Sequence, residues 1–180
     1  MSVNRISTRY AKSLLDLAID QNSLESTYSD IKIFMQALQS RDLLMMLKSP
    51  IITAAKKAMV FKSIFGDKLS KLTMSFFEIV IKKGREIYLP EISQEFINQY
   101  KAHNKITTVT ITSAAPLSEP IMKDITDKLL QSNITMNKID VQTKIDPSII
   151  GGFVVETGDK RYDASVLHKL ELFKKEFANK

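Results

Sequence analysis

Ile106-Thr107-Thr108-Val109-Thr110-Ile111-Thr112 is the stretch on which the architecture turns. Its β-branched residues alternate with a period of two, which is how a strand with one face toward a core reads. Nothing before it has this grammar. Across residues 1–105 apolar side chains recur at helical spacing, and only Gly66 and Gly84 interrupt them. The chain therefore reads as a helical domain, residues 1–105, followed by a smaller α/β domain, residues 106–180.

Working back toward the N-terminus, the spacing predicts six helices, over 3–19, 24–38, 42–47, 53–65, 69–83 and 89–103. The third ends before Pro50, since a proline disfavours helix in the residue it follows. Gly66 and Gly84 are expected to close the fourth and fifth as left-handed C-caps, and Lys82 and Lys83 suit the negative end of the fifth helix. Pro90 sits near the start of the sixth, where proline is tolerated. Six helices with short loops predict a compact bundle. Working forward, Ser118 is a natural N-cap for a helix over 119–130. Ile139, Val141, Thr143 and Ile145 alternate as a second strand. Gly151-Gly152, read as a tight bend or close backbone approach, leads into a third strand over 153–157. Gly158-Asp159 reads as a two-residue hairpin turn into a short fourth strand. Asp163 or Ser165 caps a last helix with Val166, Leu170, Phe173 and Phe177 on one face. The expected fold class is α plus small α/β: an N-terminal six-helix bundle, then a short-stranded sheet with a terminal helix.

Composition narrows function. Apolar residues are 44% and charged residues 26% of 180, which fits a globular chain and not a disordered one. There is no cysteine, so disulfides and thiolate metal sites are excluded. No apolar run approaches the roughly 18 residues of a membrane span. The N-terminus lacks a signal-peptide core, and Asp16 and Asp20 argue against a transit peptide. The net charge is +6. Residues 1–105 hold 16 basic and 10 acidic side chains, and the remainder is balanced. All the excess lies in the helical part, which admits nucleic acid, an anionic membrane or an acidic protein as partner.

Catalytic signatures are missing. There is no GxSxG elbow. His103 and His168 stand far apart without metal-ligand spacing. Gly151-Gly152 precedes a strand and lacks the following Lys-Ser/Thr of a phosphate loop. No cofactor and no metal are expected. Lys56-Lys57 and Lys82-Lys83-Gly84-Arg85 read as solvated helix faces, with a basic nucleic-acid-binding or regulatory protein as the competing reading. What is left over is apolar surface on two helices, around Tyr10, Leu14 and Leu17 on the first and Phe77, Val80 and Ile81 on the fifth. Either both helices are central, with two neighbours each, or a groove between them accepts an amphipathic helix from a partner.

Several motifs fall in a familiar order: Arg9-Tyr10-Ala11-Lys12-Ser13-Leu14; Lys83-Gly84-Arg85 with Leu89-Pro90-Glu91-Ile92 and Phe96; Thr112-Ser113-Ala114-Ala115-Pro116-Leu117; and Asp146-Pro147-Ser148-Ile149-Ile150-Gly151-Gly152-Phe153, then Gly158-Asp159, Tyr162-Asp163-Ala164-Ser165 and Leu170. Over nearly the whole chain this resembles the delta subunit family of bacterial F-type ATP synthases, whose mitochondrial counterpart is the oligomycin-sensitivity-conferring protein. The chain departs from that pattern at Glu86, where leucine is common, and at Glu156 and Leu167-His168, where basic residues are frequent. The resemblance implies a stator subunit without an active site. Its helical domain would bind the N-terminal helix of an alpha subunit in a groove between the first and fifth helices. Its C-terminal domain would engage the b subunits of the peripheral stalk. Tyr10, Leu14, Leu17, Phe77, Val80 and Ile81 are then the candidate groove residues, and the cytoplasmic face of a bacterial plasma membrane is the expected location.

Overall fold

The computed structural model describes residues 3–131, 138–158 and 160–178. The chain divides into two compact units, Met1–Tyr100 and Lys101–Lys180. Helices come first: α1 (Val3–Asp20), α2 (Leu24–Ala37), α3 (Arg41–Lys48), α4 (Ala54–Phe65) and α5 (Lys71–Lys82), then a 3₁₀ turn at Glu86–Tyr88 and α6 (Leu89–His103).

Their ends follow backbone chemistry. Beyond α5, Gly84 takes φ +66°. Its N–H bonds the Ile81 carbonyl at 2.9 Å, and the Arg85 N–H reaches the Val80 carbonyl at 3.0 Å. These are the paired bonds of a left-handed helix terminator, and only glycine enters that conformation without steric cost. Gly66 does not behave as expected. It is right-handed, at φ −54°. Its N–H continues the helix to the Lys62 carbonyl, and the N–H groups of Lys68 and Leu69 both reach the Phe65 carbonyl. The orphan acceptors are met by a continuing right-handed turn, so no positive φ is needed.

The core of this unit is aromatic. Phe34 on α2, Phe61 and Phe65 on α4, and Phe77 on α5 are fully buried, with ring centroids 4.7–5.9 Å apart. Each buried ring contributes about 1.5–3 kcal/mol relative to an exposed one, and the tilted contacts suit their quadrupoles. Two polar clusters inside are matched by hydrogen bonds. Asp30 Oδ2 accepts from the Ser70 N–H at 2.9 Å and the Thr73 hydroxyl at 2.8 Å, which places a carboxylate at the positive end of α5. Tyr100 donates to the Glu25 carboxylate at 2.8 Å and stacks on Tyr28 at 3.8 Å. Burial, then the Glu25 hydrogen bond, push its phenol up to about 12.

Lys57 corrects the expectation of a solvated basic face at Lys56-Lys57. It is 2% exposed. Its ammonium donates to the Leu47 carbonyl at 3.0 Å and to Glu86 Oε1 at 2.7 Å. A carbonyl in the last turn of α3 needs a donor from outside the helix, and Lys57 supplies it, with Glu86 balancing the charge.

In the second unit β1 (Ile106–Ser113) runs through α7 (Glu119–Gln131) to β2 (Lys138–Ile145), and a 3₁₀ turn at Pro147–Ile149 leads to β3 (Phe153–Thr157), β4 (Lys160–Asp163) and α8 (Val166–Ala178). The sheet order is β2-β1-β3-β4. β1 is parallel to β2 and antiparallel to β3, and β3 and β4 form an antiparallel pair. Val109, Ile111 and Val155 from the sheet pack with Ile125 of α7, supported by Leu117, Met122, Ile139, Val141 and Phe153. Lys101 bridges to Asp140 at 2.7 Å. The predicted hairpin turn is described only at Gly158, which takes φ +53°, because Asp159 lies outside the described residues.

Of the two candidate caps, Ser165 caps the last helix, and Asp163 closes the turn before it. Ser165 Oγ accepts from the His168 N–H, and Asp163 Oδ1 accepts from the Ser165 N–H. The bend at Gly151-Gly152 is a close approach, as expected. Gly152 takes φ +77°, and a Cβ there would meet the Ala164 carbonyl oxygen at 2.4 Å. Around it the Val166 N–H bonds the Gly151 carbonyl and the Ala164 N–H bonds the Phe153 carbonyl. Glycine lets the start of α8 lie against the start of β3.

Candidate functional site

At 100° per residue, α1 divides into faces. Ser7, Ala11, Leu14, Leu15 and Ala18 are buried. Along one edge of that buried face run Ile6, Tyr10 and Leu17, of which the first two are half-buried and Leu17 is 43% exposed. α5 divides in the same way. Thr73, Met74, Phe77, Val80 and Ile81 face the core. Leu72, Phe76 and Ile79, spaced i, i+4 and i+7, lie on an edge; the first two are half-buried and Ile79 is 55% exposed. The two edges meet where the Tyr10 and Phe76 rings approach edge-on at 6.4 Å. The result is an open apolar strip between α1 and α5.

The six residues singled out by sequence fall into two classes. Tyr10 and Leu17 lie on the strip. Leu14, Phe77, Val80 and Ile81 are 1% exposed or less; the first three are packed beneath it, whereas Ile81 lies on the far side of α5, toward Ala58 and Met59 of α4. Periodicity did not single out Leu72, Phe76 and Ile79. The signal that could have found them is their shared spacing, which places them about 100° around the helix from the core row of Thr73, Phe77 and Val80.

A polar group closes one end of the strip. Arg85 Nη1 donates to the Tyr10 hydroxyl at 3.0 Å, and the guanidinium lies 5.5 Å from the centroid of the same ring. Such stacking suits an arginine beside a tyrosine face.

A second open surface lies on α8. Val166, Leu170, Phe173 and Phe177 recur at i, i+4, i+7 and i+11, and their exposure rises along the helix to 77% at Phe177. An apolar helical stripe left in solvent is the kind of surface a helical partner covers.

Neither surface is equipped for bond chemistry. Among the described residues no group of three His, Asp or Glu is placed to hold a metal. The carboxyls of Asp146 and Asp163 are held below the usual carboxylate range by hydrogen bonds from Ser148 and Ser165. Those bonds stabilise turns. The nucleic-acid reading is not favoured, because one of its basic residues, Lys57, is buried and paired.

The chain matches the family description "ATP synthase delta (OSCP) subunit" over residues 6–177. It is 32% identical over 178 residues to the ATP synthase subunit delta of Chloroherpeton thalassium, covering 98% of this chain and 96% of that one. It is 36% identical over 173 residues to the chloroplastic delta subunit of Emiliania huxleyi, covering 95% of each. A chain of the Toxoplasma gondii mitochondrial ATP synthase hexamer superposes with a TM-score of 0.74 at 19% identity, covering 96% of this chain and 97% of that one.

Proposed function

Because this chain belongs to the ATP synthase delta (OSCP) subunit family, we propose that it works as a connector with two faces, one for the catalytic head and one for the peripheral stalk. The protein is a non-catalytic stator subunit of ATP synthase, a structural part of the complex. It is peripheral to the membrane in that complex, and among the described residues no helix is long and apolar enough to cross one.

In this reading α1 to α6 act as a six-helix bundle, residues 1–105, and residues 106–180 form the stalk-binding domain. The strip between α1 and α5 receives the N-terminal helix of an alpha subunit. Ile6, Tyr10, Leu17, Leu72, Phe76 and Ile79 make contact, and Leu14, Phe77 and Val80 hold the floor in shape. The α8 stripe receives the b subunits. The assembly sits on the cytoplasmic face of a bacterial plasma membrane. The observation that carries the head-binding role is the apolar edge of α5 left open beside Tyr10, with Ile79 55% exposed.

Calorimetric titration of the full chain with a synthetic N-terminal peptide of the alpha subunit from the same organism tests this. Tyr10→Asp and Leu17→Asp should remove binding while the circular dichroism of the chain stays unchanged. Val80→Asp should instead unfold the helical unit, because a carboxylate at a fully buried site has no partner. Binding that survives both surface variants would send the head-binding role elsewhere on the molecule.

A further inference from the structure

We infer that Arg85 is the charge-reading residue of the α1–α5 strip, and that it takes a carboxylate, from an Asp or Glu flanking the apolar face of the docking helix. This rests on the head-binding reading above and adds to it the chemistry by which the strip selects one partner and one register.

The case begins with placement. The terminator at Gly84 fixes the Arg85 backbone, since the Arg85 N–H is tied to the Val80 carbonyl. The side chain is then held by Tyr10 through a hydrogen bond and ring stacking. An arginine fixed at both ends has lost much of its rotamer freedom before any ligand arrives, and preorganisation of this kind strengthens binding.

The second step is donor accounting. A guanidinium carries five N–H donors. One goes to Tyr10, and among the described residues no carboxylate pairs with Arg85. The acid next to it in sequence, Glu86, is taken by Lys57 at 2.7 Å. Because the Tyr10 hydroxyl accepts from Arg85, its own proton is left to donate. The pair therefore offers a planar fork and a hydroxyl donor beside an apolar strip. A carboxylate matches that geometry with two parallel hydrogen bonds.

The third step is the field around it. Arg9 and Lys12 on α1, and Lys82 and Lys83 before the terminator, are all exposed. Asp16, Asp20 and Glu78 are the exposed acids on the same two helices. Positive charge thus dominates the sequence neighbourhood of Tyr10 and Arg85. An acidic flank on the partner is steered toward it, and a basic one is repelled.

The test uses the full chain, the alpha-subunit N-terminal peptide, and a set of peptides with each Asp or Glu replaced singly by its amide. Arg85→Gln should weaken binding of the unmodified peptide about tenfold or more, in the range of charge-assisted hydrogen bonds. Arg85→Lys should recover part of that loss, because it restores charge without the fork. One amide peptide should weaken binding to the wild-type chain by a similar factor and produce no further loss against Arg85→Gln. That non-additivity is not expected of a residue that only supports the fold. Equal affinity of wild type and Arg85→Gln for the unmodified peptide, or equal affinity of every amide peptide for the wild type, would overturn the assignment and leave the head-binding role standing. A wild-type chain that binds no peptide would remove both.

Discussion

Lys57 and Glu86 form an ion pair with 3% and 14% of their side chains exposed, and its removal tests how the helical unit is held. Lys57→Met keeps most of the length of the side chain and deletes its charge. Glu86 is then left with Oε1 unpaired, and its Oε2 already has no partner. The Leu47 carbonyl also loses its donor. Breaking a buried pair by removing one member costs about 3–5 kcal/mol. The partial exposure of Glu86 lets water relieve some of this, so we expect about 3 kcal/mol. The double variant Lys57→Met/Glu86→Leu removes the stranded charge and leaves only the Leu47 carbonyl short of a donor, at about 1 kcal/mol. Urea unfolding of the full chain, followed by far-ultraviolet circular dichroism, gives both numbers from the shift of the helical transition. A single variant costing under about 1 kcal/mol would mean that the pair is worth no more than a surface contact. A double variant as damaging as the two single variants combined would mean that shape, and not charge balance, governs the site.

Two further perturbations probe separate features. Gly152→Ala should destabilise the second unit by at least about 2 kcal/mol, since a left-handed alanine costs about 1–2 kcal/mol and its Cβ would crowd the Ala164 carbonyl oxygen; hydrogen exchange of the β3 and α8 amides reads this, and protection equal to wild type would refute it. Tyr100 makes stability fall on the alkaline side. Its phenol is held to about 12 in the fold against about 10 unfolded, so its contribution is complete below about pH 10 and is lost as pH rises through about 12, at about 1.4 kcal/mol per pH unit for one group. Tyr100→Phe should flatten that slope, and an unchanged slope would show that the phenol titrates alike in both states.

The sequence was legible where one local signal decides one local outcome. The alternation of residues 106–112 marks a real strand, Gly84 closes α5 in the left-handed form, and Gly152 stands at a close approach. It misled where two solutions share a signal. A glycine after a helix signals a left-handed cap, yet at Gly66 a right-handed turn satisfies the same carbonyl. Adjacent lysines signal a wet surface, yet Lys57 turns inward because α3 leaves a carbonyl open and Glu86 lies within reach. The docking strip shows the limit most clearly. Leu72, Met74, Phe76, Phe77, Ile79, Val80 and Ile81 make α5 apolar over most of its circumference. Periodicity alone cannot divide that surface between the chain's own core and a partner. Only the position of α1, fixed by contacts such as Tyr10 with Phe76, decides that Val80 is inside and Ile79 outside.

The sheet order β2-β1-β3-β4 leaves β4 with one free edge. A row of unpaired backbone groups is a template for the strand of another chain, and a subunit awaiting assembly is open to that hazard. β4 has only four residues, and it begins with two exposed cations, Lys160 and Arg161. Two copies pairing edge to edge in parallel register would set Lys160 and Arg161 against the same residues of the other copy before backbone bonds could form. This short, charged margin guards the β4 edge against in-register stacking of copies, and replacing both residues with valine would remove that guard without touching the core.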